Sequence, residues 1–278
     1  MGEAYSINDD QRAKLQALRE AIAAYDGLAI AFSGGVDSAL LAAVAHDVLG
    51  ERALAVTGRS PSIPAREIEE ARAFCEERGM RHEIIDTHEF EIEGFDHNPV
   101  DRCYHCKREL LMCVVRAAEA HGIHALAEGS NLDDEGEYRP GSRAIAEMKV
   151  ASPLREAGLR KDDVRALARY LELSQWDKPS FACLNTRFAY GDLITPELLS
   201  MVDGAEEALH ALGFAQVRVR CRDRAARIEV SSNDIERIVK PQVRERVVGE
   251  LTNLGFTYVS VDLQGYRTGS MDEGLDAS

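Results

Sequence analysis

The hexapeptide Ser33-Gly34-Gly35-Val36-Asp37-Ser38 stands between a short apolar run at 28–32 and a helix-forming stretch at 36–49. Two consecutive glycines let the backbone turn sharply enough to aim several N–H groups at one point, and the helix beginning at Val36 adds its positive end there. Such a turn is a cradle for a di- or triphosphate. Ser33 and Ser38 can donate hydroxyls to phosphate oxygens, and Asp37 can hold magnesium or orient a nearby donor. No Gly-Lys-Ser/Thr follows, so this is not a Walker loop. A lone Gly-Gly would be read as an ordinary turn; the whole string in this setting argues for a nucleotide.

Around the loop the chain alternates between two periods. Apolar residues at Leu15, Leu18, Ile22 and Tyr25 fall three to four apart, as on a helix. Strands are expected at 28–32, 53–57, 81–86 and 124–128, with a fifth at 150–152, and helices at 36–49, 64–78, 107–121 and 161–171. Strands alternating with helices predict an α/β fold, a doubly wound parallel sheet whose ligands bind at the strands' carboxyl ends. From Thr195 the order becomes helix 196–212, strand 216–221, strand 226–231, helix 234–254 and strand 257–262. Two strands without a helix between them predict a smaller α+β unit. The expected domains are 1–190 and 191–278, the latter ending in a polar tail after Tyr266 that is expected to be mobile.

The balance of 33 basic and 48 acidic residues gives a formal charge of −15, which repels polyanions and disfavours a nucleic-acid partner. Against it stands a local cluster of Arg218, Arg220, Arg222, Arg224 and Arg227. Arg218 and Arg220 alternate along a strand and leave on one face, where two guanidinium forks suit a phosphate; a solvated strand face fits the same pattern. No run approaches about 18 apolar residues, and the polar N-terminus lacks a secretory layout. A cytoplasmic address without a membrane partner is expected, so the six cysteines are read as thiols.

Cys103-Tyr104-His105-Cys106 lies in a loop just before a helix, and Cys183 lies in the segment Pro179-Ser180-Phe181-Ala182-Cys183-Leu184-Asn185-Thr186-Arg187. Alone, Cys-x-x-Cys suits zinc, an iron–sulfur cluster or redox work. Cys183 could instead attack an activated carboxylate as a thiolate, helped by Lys178 or Arg187. Cys75, Cys113 and Cys221 read as packing, and Trp176 reads equally as core or as a stacking platform.

The loop resembles the SGGxDS signature of PP-loop pyrophosphatases, adenylating enzymes that cleave ATP between its α and β phosphates. Together with RCYHCK at 102–107, EGSNLDD at 128–134, PLREAGLRK at 153–161, the 176–191 segment containing ACLNTRFAYG, and the arginine-rich 217–230, it is similar to LarE-type ATP-dependent sulfur transferases of nickel-pincer nucleotide synthesis. The likeness covers roughly residues 15 to 265. It implies adenylation, then thiolation, of both carboxylates of a pyridinium-3,5-biscarboxylic acid mononucleotide. Catalytic roles are implied for Cys183, Asp37 and Arg187. ATP with Mg2+ is implied at Ser33, Gly34, Gly35, Val36, Asp37, Ser38, Thr57, Ser60 and Gly129, and the substrate phosphate at Arg218 and Arg220. A [4Fe-4S] cluster is implied on Cys103, Cys106 and Cys183; in the alternative, Cys183 gives up its own sulfur. A sulfide donor and a homo-oligomer are further implied partners. A tRNA thiolase, an amide-forming synthetase and a non-catalytic nucleotide sensor share the loop and stay open.

Overall fold

The computed structural model describes residues 5–134, 140–179 and 182–267; most of the polar tail lies outside them. The chain forms two compact units. The first contains the described residues up to Ile92 and from Asp101 to Pro179, and the second contains Glu93–Val100 and the described residues from Ala182 onward.

The first unit runs α1 (Asp9–Ala23), β1 (Leu28–Ala31), α2 (Val36–Leu49), β2 (Ala53–Arg59), α3 (Ala65–Glu77), β3 (His82–Asp86), α4 (Arg102–Ala120), β4 (Ala125–Ala127), α5 (Pro140–Glu147), α6 (Pro153–Glu156) and α7 (Lys161–Tyr170). Its sheet has the order β3-β2-β1-β4, and every pairing is parallel. The period of two sorts each strand between two cores. Leu28, Ile30, Ala53 and Ala55 join the helical layer of α1, α2 and α7, while Ala29, Leu54 and Val56 meet Val114, Ala117 and Ala118 of α4. Helix α2 is apolar almost all round because it is buried almost all round, with Leu40 and Leu41 wholly inaccessible. Truncating either to alanine costs about 2–5 kcal/mol. An α/β sheet covered on both faces is the fold that the alternating periods imply.

Three expectations are corrected. Helix α4 begins at Arg102, five residues before 107, so Cys103 and Cys106 ride on a helix rather than in a loop. The poor helix formers at its start are held from outside. Tyr104 donates its hydroxyl to Glu147 (2.7 Å), and the Arg143 guanidinium lies 3.5 Å from the centre of the Tyr104 ring, both partners coming from α5. The fifth strand reduces to a bridge between Ala127 and Ala151, since Pro153 at once starts α6. The helix expected at 234–254 is broken at Pro241, whose ring and missing N–H cannot continue a helix but suit its first position.

The second unit runs α8 (Pro196–Ala211), β5 (Val217–Arg222), β6 (Ala225–Val230), α9 (Ile235–Ile238), α10 (Pro241–Asn253) and β7 (Tyr258–Val261). β5 and β6 pair antiparallel, and β7 joins β6 in parallel. The 93–100 excursion is stitched into this unit, with Ile194 N–H donating to the Asp96 carbonyl (2.7 Å) and the Asn98 amide donating to the carbonyls of Phe188 (3.0 Å) and Ala189 (2.9 Å). Among the described residues no helix is long and apolar enough to cross a membrane.

Candidate functional site

The loop occupies the carboxyl end of β1. Gly34 has φ +71°, a left-handed turn that costs a side chain strain, and Gly35 caps α2. Ser33 and Ser38 bridge the loop: their hydroxyls lie 3.1 Å apart, Ser33 N–H donates to Ser38 Oγ (3.2 Å), and Ser38 Oγ donates to the Gly35 carbonyl (3.1 Å). The Val36 side chain is buried in the core, so only its backbone serves the loop. Gly129 of the β4 end backs directly onto it: a Cβ there would stand 2.9 Å from Ser38 N and 3.2 Å from the Asp37 carbonyl carbon. That glycine permits close approach of backbone to backbone.

Asp37 is oriented from two sides. Asn131 Nδ2 donates to its Oδ1 (3.0 Å), and the Lys161 ammonium donates to its Oδ2. Lys161 opens α7 and is fixed in turn by Asp133, whose Oδ2 accepts from Lys161 N–H (2.8 Å) while its Oδ1 accepts from Arg160 (2.7 Å). Lys161 was not among the residues singled out from sequence, although it closes the PLREAGLRK string. A signal was present: a lysine in the first turn faces the positive end of its helix, a placement that helices disfavour.

Thr57 and Ser60 sit at and just beyond the carboxyl end of β2, yet their hydroxyls are occupied. Thr57 Oγ1 donates to the Phe32 carbonyl (2.9 Å) and lies 2.8 Å from His82 Nε2. Ser60 Oγ pairs with Ser62 Oγ (2.7 Å), which donates to the buried Glu89 (3.0 Å). What these residues can offer a nucleotide is backbone rather than hydroxyl. The middle of helix α4 packs on the same strand, where Leu110 covers Gly58 of β2 so closely that an added Cβ would lie 2.5 Å from its Cδ1.

None of the six cysteines forms a disulfide, and they divide by exposure. Cys75, Cys113 and Cys221 are buried, whereas Cys103 is exposed and Cys106 and Cys183 are partly so. Burial pushes the Cys75 thiol up to about 12, the behaviour of an inert packing residue. Cys103 and Cys106, three apart on one helix, share a face and offer two thiols side by side. Cys183 belongs to the second unit. Among the described residues no three His, Cys, Asp or Glu side chains converge as a metal site.

Arg187 points inward. Its side chain and that of Glu206 are both wholly inaccessible and form a two-pronged pair (2.9 and 2.8 Å). Its Nη1 donates to the carbonyls of Ala182 (2.7 Å) and Cys183 (3.1 Å), so it holds the backbone of the Cys183 turn. Lys178 is pinned to α3 by Glu67 (2.8 Å) and Glu70 (2.6 Å). Trp176 carries the Arg169 guanidinium 4.7 Å from its ring centre, which occupies that face. On β5, Val217, Val219 and Cys221 face the core, leaving Arg218 and Arg220 together on the other face. Arg220 is gripped by Glu229 (3.0 and 2.9 Å) and borders a cavity of about 350 Å³ shared with Arg222 and Arg227. Burial, reinforced by Arg187, pushes the Arg218 guanidinium below its usual range.

The chain is similar in sequence to several known proteins. Residues 12–107 match the NAD synthase family model. An uncharacterized protein of Synechocystis sp. is 42% identical over 94% of this chain and 98% of its own length. A pyridinium-3,5-bisthiocarboxylic acid mononucleotide synthase of Lactiplantibacillus plantarum is 36% identical over 88% of this chain and 89% of its own. A glutamine-hydrolyzing GMP synthase polypeptide of Thermoplasma acidophilum is 30% identical over 62% of this chain and 60% of its own. The Ser33–Ser38 loop within the stretch matched by the NAD synthase family, in a chain that aligns over 88% of its length with the Lactiplantibacillus enzyme, identifies the chain as a member of the LarE family of pyridinium-3,5-bisthiocarboxylic acid mononucleotide synthases.

Proposed function

We propose that this chain is an ATP-dependent sulfur transferase, forming AMP and pyrophosphate, that adenylates the carboxylates of pyridinium-3,5-biscarboxylic acid mononucleotide and thiolates them. The reading is carried by the division of the cysteines, because the three thiols that the family resemblance assigns to sulfur are the three that solvent reaches. The N–H groups and hydroxyls of Ser33, Gly34, Gly35, Val36 and Ser38 hold the β and γ phosphates, with the backbone of Thr57 and Ser60 near the adenine. Asp37 holds Mg2+. Lys161, held on Asp37 of the loop, faces the departing pyrophosphate, so that charge growing on the leaving group meets a cation already in place. A carboxylate oxygen is a poor leaving group; its adenylate leaves readily as AMP. Arg218 and Arg220 take the substrate phosphate, and Cys183 stands at the sulfur-handling position, its turn set by Arg187.

Cys103, Cys106 and Cys183 supply thiolates suited to a [4Fe-4S] cluster, with no fourth protein ligand in the proposal. When bound, such a cluster would supply the sulfide that is transferred. In this reading residues 1–190 bind ATP and 191–278 serve substrate phosphate and self-association, in the cytoplasm, with an external sulfide donor.

The test is anaerobic. AMP, pyrophosphate and the thiocarboxylate product should appear together, and only when the pyridinium substrate is added. Iron and sulfide should be lost in Cys183→Ala. AMP release that ignores the pyridinium substrate would sink the assignment, and stoichiometric zinc without iron would sink the cluster.

A further inference from the structure

We infer that His82, at the start of β3, is a positioning residue that clamps the entry to the nucleotide loop through Thr57. The Phe32 carbonyl can only accept, and Thr57 has a single hydroxyl proton, which it gives to that carbonyl (2.9 Å). His82 Nε2, 2.8 Å from the same oxygen, must therefore be the donor. The imidazole is neutral with its proton on Nε2. Its surroundings agree. The ring meets Phe32 edge-on at 5.9 Å, Phe32 in turn packs on Phe74 at 5.6 Å, and burial together with the nearby Arg72 charge pushes His82 down to about 4.

Phe32 is the residue immediately before Ser33, and its N–H is tied to the Val56 carbonyl (2.8 Å). With both polar groups of Phe32 held by β2 residues, the plane of the peptide leading into Ser33 is fixed, and with it the direction of the first loop N–H. His82 touches neither phosphate nor loop. It acts at one remove, by denying Thr57 any other orientation. Displacements well under 1 Å at a phosphate cradle suffice to lower rates. The inference rests on the ATP reading for its kinetic consequence, but the clamp itself is a property of the free protein.

The test compares His82→Phe, which keeps the ring and loses the donor, with His82→Gln, whose amide nitrogen lies as many bonds from Cα as Nε2. Thr57→Val and the Phe/Val double variant complete the set. Measured well below each melting temperature, His82→Phe should lower kcat for AMP formation about tenfold with little change in KM for the pyridinium substrate. His82→Gln should recover most of it, and the double variant should be no worse than either single one. In nucleotide-free protein, amide exchange over 33–36 should quicken in His82→Phe and not in His82→Gln. A His82→Phe protein that melts lower yet keeps wild-type kinetics and wild-type loop exchange overturns the clamp, as does additivity with Thr57→Val. Were wild type to form no AMP at all, the ATP reading would fall and the exchange comparison would still decide the clamp.

Discussion

Single residues at the loop differ in what they tolerate. Gly129→Ala sets a methyl against the backbone of Ser38 and Asp37, atoms that cannot swing aside as a flexible side chain does. It should cost about 1–3 kcal/mol and abolish protection of the chain by ATP in a thermal melt. Lys161→Ala removes half of a partly exposed ion pair, worth about 1 kcal/mol or less. Melting should hardly move, while AMP formation falls about 100-fold and Lys161→Arg restores part of it. His82 contributes a pH dependence whose sign follows from its depressed value of about 4 against 6.5 unfolded. The unfolded chain takes up the proton first as pH falls, so stability is full above 6.5, is lost between 6.5 and 4, and levels off below. Denaturation midpoints of wild type and His82→Gln should therefore converge as acid is added through that window.

Elements were legible in the sequence wherever one period ran unbroken. The alternation of Leu28, Ala29 and Ile30 between two cores is written in their order, and the loop motif fixed where β1 gives way to α2. The start of α4 was not legible, because its first turn depends on partners some forty residues downstream, and no local propensity in Cys103-Tyr104-His105 announces them. The same limit hid the surroundings of Arg187: the sequence shows an arginine four residues after a cysteine, but not the buried Glu206 with which it pairs. Lys161 was hidden for a related reason, since its partner Asp37 lies 124 residues away. The dependence of α4 on α5 can be measured. Tyr104→Ala forfeits both the Glu147 bond and the Arg143 stacking, a loss of about 1–2 kcal/mol. Amide exchange at 102–106 should quicken several-fold while α4 beyond Leu110 stays protected by its core; uniform exchange along the whole helix would refute this.

For the molecule as a whole, the open question is which anions it admits. A net charge of −15 repels every phosphate at long range, so binding must come from local cations. The C-terminal arginines look, in sequence, like a stripe fit for RNA. In the folded unit most of that stripe is answered by its own carboxylates: Arg220 and Arg227 share Glu229, Arg227 also approaches Asp262, and Arg224 meets Glu197. Such an internally balanced surface has few counterions to release from a polyanion, which is the source of most non-specific affinity. A compact ligand is different, because one phosphate can seat against the face of Arg218 and Arg220 without covering the acidic remainder. Fluorescence anisotropy with a labelled tRNA pool should thus show no binding tighter than about 10 µM at 0.15 M salt and little gain on dilution to 0.05 M. A steep rise in affinity with falling salt would reveal an unbalanced basic groove, and tRNA thiolation would then displace the mononucleotide reading.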